Sequence, residues 1–221
     1  LGIESDNADN NWGVRVYNNY AKNTFKDTVK SISLSTQHVS LNEKTLGSTI
    51  YTESQLNDNV INFSLDGNHA DIEKHNEIGA KESVEATRNK LTAAISDVWT
   101  PIKPLAFYAL LRGYHVEDES EAGTASFRAG CSATNRSCLN STHNETSLQL
   151  GSSYQINDEW LIKSNIGQLI RIPTLAEKYG ELGNYIGEPD LKPESSNNID
   201  TGINFKNAIF NAELVLFYKK I

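Results

Sequence analysis

Alternation of apolar and polar side chains is the property that most constrains how this chain can fold. Leu148, Leu150, Tyr154 and Ile156 fall on one side of their segment, and small or polar residues fall between them. A period of two residues is that of a β-strand with one apolar and one polar face. The same pattern recurs at residues 12–17, 61–66 and 198–205. The sequence therefore predicts an all-β, antiparallel fold.

Composition narrows the class of protein further. No apolar run approaches the roughly 18 residues that a membrane-spanning helix needs. A barrel strand needs only one apolar face, so a hydrophobic content of 38% is compatible with a membrane β-barrel. The net charge is −8 and the basic residues are scattered, whereas nucleic-acid binding favours a clustered basic face. We expect no nucleic-acid partner.

Short and long connections alternate along the chain. Turn-forming residues predict short turns at 23–27, 57–59, 101–104, 157–158 and 206–207. Longer polar stretches lie between them, at residues 42–48, 67–89, 117–145 and 174–196. Short periplasmic turns and long extracellular loops are typical of a transmembrane β-barrel of the outer membrane. We therefore expect about ten strands of about ten residues each, the length of a tilted bilayer crossing.

Aromatic residues flank four of these predicted short turns. Rings that lie at one level form the girdle that marks a membrane interface. Ordinary aromatic residues at strand ends are the alternative. The four pairs are Tyr20 and Phe25, Trp99 and Phe107, Tyr154 and Trp160, and Phe205 and Phe210.

The two cysteines, Cys131 and Cys138, lie seven positions apart in a polar stretch. Their spacing differs from that of a zinc site, and no pair of histidines at ligand spacing lies nearby. A disulfide that closes a small loop in an oxidising compartment is the expected state, with two free thiols as the alternative.

Other potential metal ligands are weakly patterned. The acidic run Glu117, Asp118, Glu119 and Glu121 could offer oxygen ligands to calcium, but it lacks the spacing of an EF-hand. A solvated loop explains the run more simply. The histidines are dispersed and match no recognisable haem motif. They are His38, His69, His75, His115 and His143.

Two stretches in the last third of the chain resemble motifs of a known protein family. Residues 167–175, Gly-Gln-Leu-Ile-Arg-Ile-Pro-Thr-Leu, resemble the Arg-x-Pro signature of TonB-dependent receptors. Residues 187–194, Gly-Glu-Pro-Asp-Leu-Lys-Pro-Glu, are similar to the Asn-Pro-Asp-Leu-Lys-Pro-Glu block of that family. The positions that carry the resemblance are Arg171, Pro173, Tyr179, Gly180, Pro189, Asp190, Leu191, Lys192, Pro193, Glu194 and Gly202.

The resemblance covers roughly residues 90–221, and residues 1–89 agree only in strand pattern. Some positions depart from the family's usual residues. Ile172 stands where Ala is common, Glu188 where Asn is common, and Asp200 where Glu is frequent. These departures affect the subfamily and leave the family resemblance intact.

The resemblance implies a fold and a location. Receptors of this family have a barrel of about 22 strands with a separate plug domain in the lumen, in the bacterial outer membrane. Residues 1–221 would be a part of that barrel, without the plug. The absence of Met and of a signal peptide, and an end within a strand-like pattern, agree with a piece of a longer protein.

The resemblance also implies a function. The protein would import a scarce nutrient, driven through the TonB complex, without enzymatic chemistry and without a cofactor. Its partners would be the TonB complex, reached through the plug, outer-membrane lipid, and a small-molecule ligand such as an iron chelate. A ferric siderophore is the commonest cargo of the family and is the one we expect. Haem, cobalamin and carbohydrate are the alternatives.

Two alternatives belong to other classes of protein. A soluble or surface-attached β-rich adhesin would need no detergent, whereas a barrel has outward apolar faces and does need it. A passive porin would lack the two sequence blocks described above.

Four residues are candidates for specific roles. Arg171 and Glu194 could contact a ligand, or they could organise the barrel wall and its loop, with the nearby prolines fixing backbone angles. Arg112 and Tyr114 could face the lumen and touch the plug, or line a solvated interior. The sequence identifies no other ligand-binding residue.

Overall fold

The computed structural model describes residues 1–5, 10–27, 29, 36–76, 78, 85–120, 140–182 and 185–221. Strands make up most of these residues, and the helix among them has five residues. The elements are β1 (Gly2–Ser5), β2 (Asn10–Asp27), β3 (Gln37–Leu56), β4 (Asn59–Asn76), β5 (Glu85–Ile102), β6 (Leu105–Ser120), β7 (Asn140–Gln155), β8 (Trp160–Arg171), α1 (Leu175–Tyr179), β9 (Glu181–Leu182), β10 (Tyr185–Ile186), β11 (Glu194–Lys206) and β12 (Asn211–Lys220).

Ten of the strands form one antiparallel sheet in the order β1-β2-β3-β4-β5-β6-β7-β8-β11-β12. Each strand pairs with its neighbour in the chain, except that β9 and β10 form a separate two-stranded sheet within the connection from β8 to β11. The prediction of an all-β antiparallel fold with about ten strands is confirmed. In the described part of the chain, no helix is long and apolar enough to span a membrane.

Four predicted short turns are confirmed, and all four lie at the same end of the sheet. Asparagine shapes three of them. Asn57 adopts a positive φ of 53°, a conformation that asparagine tolerates. The side chains of Asn157 and Asn207 each accept two hydrogen bonds, from the backbone N–H groups two and three residues later. This is the local bonding that makes asparagine a turn residue.

Two of the predicted connections are wrong. Residues 23–27, predicted as a turn, lie inside β2, and residues 42–48, predicted as a polar connection, lie inside β3. The two strands pair with each other without interruption from Asn10↔Ser54 to Asp27↔Gln37. A continuous ladder satisfies the backbone there, and this outweighs the local turn preference of asparagine and aspartate. Tyr20 and Phe25 therefore flank no turn.

The strands are also longer than predicted, because β2 to β7 have 16 to 20 residues each. An 18-residue strand is about 60 Å long and, tilted by about 40°, rises about 45 Å. The apolar band of a membrane barrel is only about 25 Å tall. The strands thus continue well beyond such a band at the end opposite the short turns. Their polar extensions account for much of residues 67–89 and 117–145, which were predicted as loops.

The two faces of the sheet differ in chemistry. Phe63, Ile95, Leu111 and Leu148 are successive cross-strand partners from β4 to β7, and 41% to 49% of each is exposed. The next row along the strands, on the opposite face, is Ser64, Ala94, Arg112 and Ser147. One face is therefore an apolar belt and the other is small or polar, as the alternation predicts.

Aromatic rings gather beside the short turns. The ring centroids of Trp99 and Phe107 are 5.6 Å apart, and those of Trp160 and Phe205 are 4.7 Å apart. Phe210 lies 6.3 Å from Phe205. Amphipathic rings at one level of an apolar belt mark its boundary with water. The belt therefore ends near the short turns.

Candidate functional site

The connection between β8 and β11 carries a short helix whose start is fixed by its sequence. Thr174 caps α1, and its hydroxyl oxygen accepts a hydrogen bond from the Glu177 N–H at 3.1 Å. The Glu177 carboxylate in turn accepts the Thr174 N–H at 2.8 Å, which completes a capping box. Gly180 ends the helix by donating its N–H to the Ala176 carbonyl. A side chain on Gly180 would collide with that same carbonyl.

An ion-pair network closes the base of this connection. Arg171 ends β8, Glu194 begins β11, and the two are cross-strand partners. The guanidinium of Arg171 donates two hydrogen bonds to Glu194, at 3.0 and 2.7 Å, and two to Glu177, at 3.0 and 2.9 Å. The Thr174 N–H and then Arg171 lower the pKa of the Glu177 carboxyl below its ordinary value. The start of the helix is therefore tied to both strands.

The helix packs on the polar face of the sheet, near the ends of the long strands. Leu175 and Tyr179 are buried there in one apolar cluster. Their partners are Leu41, Ala70, Ile72 and Ala86, from β3, β4 and β5. Because strand alternation places these partners on the face opposite the apolar belt, the connection folds back over the inner side of the wall.

A buried charged cluster anchors the helix. Arg88, Asp118 and Ser141 are successive cross-strand partners on β5, β6 and β7. Arg88 donates to both carboxylate oxygens of Asp118, at 2.6 and 2.9 Å, and also to the Pro173 carbonyl at 2.6 Å. Lys178 of α1 donates to Asp118 at 2.8 Å and to the Ser141 hydroxyl at 2.6 Å. The side chains of Asp118 and Lys178 are 0% and 1% exposed.

Burial of three charges is tolerable only when they satisfy one another. Here one carboxylate receives hydrogen bonds from two cations that come from distant parts of the chain. Residues 88, 118 and 178 are thereby held together, and Pro173 of the family signature joins them through its carbonyl. The cluster attaches the inward connection to three strands of the wall.

The solvated-loop interpretation of the acidic run is wrong for Asp118. The run belongs to β6 up to Ser120, and alternation turns Asp118 inward beneath α1 while Glu117 and Glu119 stay exposed. Glu121 lies outside the described residues. Among the described residues, no group of three or more histidine, cysteine, aspartate or glutamate side chains could hold a metal ion.

Below the helix, the inner face carries a second polar network. Asp66 accepts hydrogen bonds from Thr49 at 2.6 Å, from Asn68 at 3.0 Å and from the Tyr17 hydroxyl at 3.1 Å. The Tyr17 ring lies flat across Gly47, its cross-strand partner, where any side chain would collide with the ring. The tyrosine therefore needs glycine opposite it in order to reach Asp66.

Arg112 and Tyr114, the candidates for lumen-facing residues, lie on this same inner face. The Arg112 guanidinium is 3.4 Å from the Tyr114 hydroxyl oxygen, to which it donates a hydrogen bond. Arg112 also borders a shallow cavity of about 310 Å³, together with Tyr51 and Tyr108. The inner wall thus offers hydroxyl, guanidinium and carboxylate groups to whatever occupies the lumen.

The remaining motif residues shape the connection. Pro189 and Asp190 form a turn in which the Leu191 N–H donates to the Glu188 carbonyl at 3.2 Å. Lys192 is exposed, Pro193 is half-buried, and Gly202 lies within β11 opposite Val215. Cys131 and Cys138 lie outside the described residues.

Sequence reasoning missed Arg88, Lys178 and Ser141. The alternation in β5 and β7 places Arg88 and Ser141 inward, which was a usable signal. Lys178 gave no such signal, because it lies 60 residues from Asp118 and meets it only when the connection folds inward.

Comparisons with known proteins agree with this architecture. A family model described as "TonB dependent receptor-like, beta-barrel" matches residues 1–221, which includes the first 89 residues. A comparison with curated proteins finds no match.

Solved structures share the fold at low sequence identity. The copper transporter OprC is 14% identical, with a TM-score of 0.77 over 95% of this chain and 35% of its own. The ferric yersiniabactin uptake receptor FyuA from Yersinia pestis is 13% identical, with a TM-score of 0.64 over 99% of this chain and 34% of its own. The ferric citrate transporter FecA is 10% identical, with a TM-score of 0.69 over 99% of this chain and 33% of its own.

The chain thus spans about a third of the length of these structures. Barrels of this family are bacterial outer-membrane proteins, so the apolar belt faces lipid and the polar face lines the lumen. The family predicted from the Arg-x-Pro and Leu-Lys-Pro-Glu blocks is confirmed: this chain belongs to the TonB-dependent receptors, as a portion of their outer-membrane β-barrel.

Proposed function

We propose that the protein actively imports a scarce nutrient across the outer membrane, that TonB energises this import through a plug domain, and that the cargo is a ferric siderophore. The family match over the whole chain is the observation that carries the proposal. Residues 1–221 contribute the barrel wall, and the plug is supplied by another part of the protein.

The inward connection supports a role in transport. Its helix covers the inner wall near the extracellular ends of β3 to β6, and the charged cluster keeps it there. A cargo that enters from outside passes this helix first and then meets the Tyr17–Asp66 network and, separately, Arg112. These groups offer both positive and negative hydrogen-bonding partners, which suits a polar metal chelate.

The charged cluster has a structural role and adds no reactive group to the lumen. Every charged group of Arg88, Asp118 and Lys178 is engaged by another member of the cluster, so it presents no free base or nucleophile to the lumen. Together with the family match, which is to transporters, this supports the proposal of transport without covalent chemistry.

Histidine placement disfavours haem as the cargo. Cross-strand register puts His38, His69, His75 and His115 on the outward face and His143, the partner of Val116, on the inner face. His69 and His115 are further engaged with Asn89 and Asn144, at 2.7 Å in each case. An iron ligand for imported haem would have to face the lumen, where the described part of the wall offers His143 alone.

Uptake of radioactive iron tests the proposal. Cells that express the intact protein as their sole receptor are given ⁵⁵Fe bound to a panel of siderophores, with ⁵⁵Fe-labelled haem, labelled cobalamin and labelled maltodextrin in parallel. We expect uptake of a ferric siderophore that stops when the tonB gene is deleted. Uptake that persists without TonB would contradict active import. TonB-dependent uptake of haem, cobalamin or carbohydrate alone would contradict the cargo.

A further inference from the structure

The outward face of the sheet contains a row of small hydroxyl residues within the apolar belt. Ser152, Ser164 and Thr201 are successive cross-strand partners on β7, β8 and β11. Phe107 of β6 and Leu216 of β12 are the next partners at either end of the row. Small side chains between two large ones leave a groove across three strands, with a volume of about 610 Å³.

The groove has an apolar wall on one side only. The adjacent outward row toward the extracellular end, Leu150, Ile166, Ile199 and Tyr218, lines it. The adjacent row toward the short turns, which includes Tyr154, Ile162 and Ile203, does not line it. The lining of the groove is therefore continuous with the row nearer the middle of the membrane, and its other side faces the short turns.

Two of the three hydroxyl groups in the groove form hydrogen bonds within the wall. The hydroxyl oxygens of Ser164 and Thr201 are 2.9 Å apart and share a hydrogen bond. Thr201 also donates to the Lys163 carbonyl at 3.1 Å. A floor whose hydroxyl groups bond to each other can accept an apolar ligand without leaving them unpaired.

The depth of the groove in the membrane and its length both match those of a lipid acyl chain. Ser164 lies four residues above Trp160 of the aromatic girdle, about 13 Å along a strand and about 10 Å in depth. One leaflet is about 15 Å thick. The groove crosses four strand spacings from β6 to β12, which is about 19 Å. Because the strands tilt, a groove across them slopes from the girdle toward the bilayer centre, as an acyl chain does.

Charges at the short turns suit a zwitterionic headgroup. Lys103 is exposed in the turn between β5 and β6, and Asp158 and Glu159 are exposed in the turn between β7 and β8. The two turns are neighbours, because the Pro104 carbonyl accepts the Gln155 N–H at 2.7 Å. A lysine complements a phosphate and acidic residues complement an ammonium group, and here both lie in turns beside the aromatic girdle.

From these observations, we propose that this outward groove binds an acyl chain of phosphatidylethanolamine from the periplasmic leaflet. The bound lipid fills the space over Ser152, Ser164 and Thr201. The proposal rests on the outer-membrane placement of the wall and is independent of which cargo is transported.

Native mass spectrometry of the intact protein tests this inference. Protein purified from outer membranes in mild detergent is mixed with palmitoyl-oleoyl phosphatidylethanolamine, and the retained lipid is counted. Ser164→Phe fills the groove and should reduce the retained lipid at least about tenfold, which corresponds to about 1.4 kcal/mol. Ala93→Phe is the matched control, because Ala93 is exposed on the same outward face outside the groove. It should retain lipid as the wild type does.

The heat-dependent mobility of the barrel in gel electrophoresis shows whether each variant folds. If Ser164→Phe fails to fold, Thr201→Leu serves as the groove variant instead, because Thr201 is the β11 member of the same row. Equal lipid retention by the folded groove variant and the wild type would overturn the inference. So would retention of lipid A instead of phosphatidylethanolamine, or a wild-type dimer that the groove variant abolishes.

Discussion

Replacement of Lys178 by methionine should release helix α1 from the inner wall. Methionine keeps most of the volume and the apolar stem of lysine, so the substitution removes the charge and its two hydrogen bonds, to Asp118 and Ser141. Hydrogen bonds to charged groups contribute about 1.5–3 kcal/mol each. Asp118 keeps its two bonds from Arg88, so its charge stays neutralised. Methionine also removes the desolvation cost of the buried ammonium, which offsets part of the lost bonding. We therefore expect opening of the connection to become easier by about 2–3 kcal/mol, or roughly 30- to 150-fold.

Loss of the Asp118 carboxylate should destabilise the closed connection more than loss of the Lys178 ammonium. Asp118→Asn leaves the cations of Arg88 and Lys178 together, both nearly inaccessible to solvent, without a counter-charge. Loss of one partner of a buried ion pair costs about 3–5 kcal/mol. In the variant that combines Asp118→Asn with Lys178→Met, the asparagine faces only the cation of Arg88. The two substitutions together should therefore destabilise the closed connection by less than the sum of their separate effects.

Amide hydrogen exchange of the intact protein in detergent measures this opening directly. The reporting amides are those of Lys178, Gly180 and Glu188, which bond to carbonyls within the same connection. Lys192→Met is the control, because Lys192 is exposed in the same connection. The reasoning fails if Lys178→Met exchanges no faster than Lys192→Met, or if Asp118→Asn perturbs the connection less than Lys178→Met does.

Three further predictions concern other parts of the wall. The lowered pKa of Glu177 means that its contribution to holding α1 is complete above the unfolded pKa of about 4.3 and is lost as pH falls through the folded value. The protection factors of the α1 amides, which correct the measured rates for the pH dependence of intrinsic exchange, should therefore be constant from pH 7 to pH 5 and fall below about pH 4, less steeply in Glu177→Gln. Gly47→Ala should destabilise the barrel by about 1–3 kcal/mol in urea unfolding, because the added methyl displaces the Tyr17 ring from Asp66. In a Tyr17→Ala background, Gly47→Ala should have a much smaller effect. Asp97 faces outward opposite Ile61 and Ala109, and its Oδ1 atom is buried without a hydrogen-bond partner among the described residues. Asp97→Leu should therefore raise the free energy of unfolding by up to about 2 kcal/mol. A lower urea midpoint in this variant would contradict the prediction.

Local patterns predicted the parts of the fold that local forces determine. Strand alternation gave the correct sheet, and asparagine-rich turns such as those at Asn157 and Asn207 were correctly located. The same residue types were misleading at Asn23, which pairs with Leu41 in an unbroken ladder. The sequence shows a preference for a turn, but it does not show whether a neighbouring strand will satisfy the backbone instead.

The site was harder to predict, because it depends on contacts between distant segments. Arg171 and Glu194 were identified through a family motif, and the structure joins them across β8 and β11. The residues that anchor α1 were not identified, since nothing near Lys178 indicates that it will bury its charge against Asp118. A loop that folds inward creates pairings that neither periodicity nor spacing encodes.

The charged cluster lies on the inner face, above the apolar belt. This position explains why its disruption should change the free energy of opening by only a few kcal/mol. On the outward face the apolar belt includes Leu91, and one row higher the partners are Asn89 and Glu117, which are polar. Arg88 and Asp118 are the chain neighbours of that polar row, so the cluster lies above the belt. Its dry environment is therefore created by α1 and the inner wall, and not by lipid. When the connection opens, water can reach Asp118 and recover most of its solvation energy. A cluster whose dry environment depends on α1 can hold the connection closed and still let it move within the time of a transport cycle, because opening returns its charges to water in the lumen.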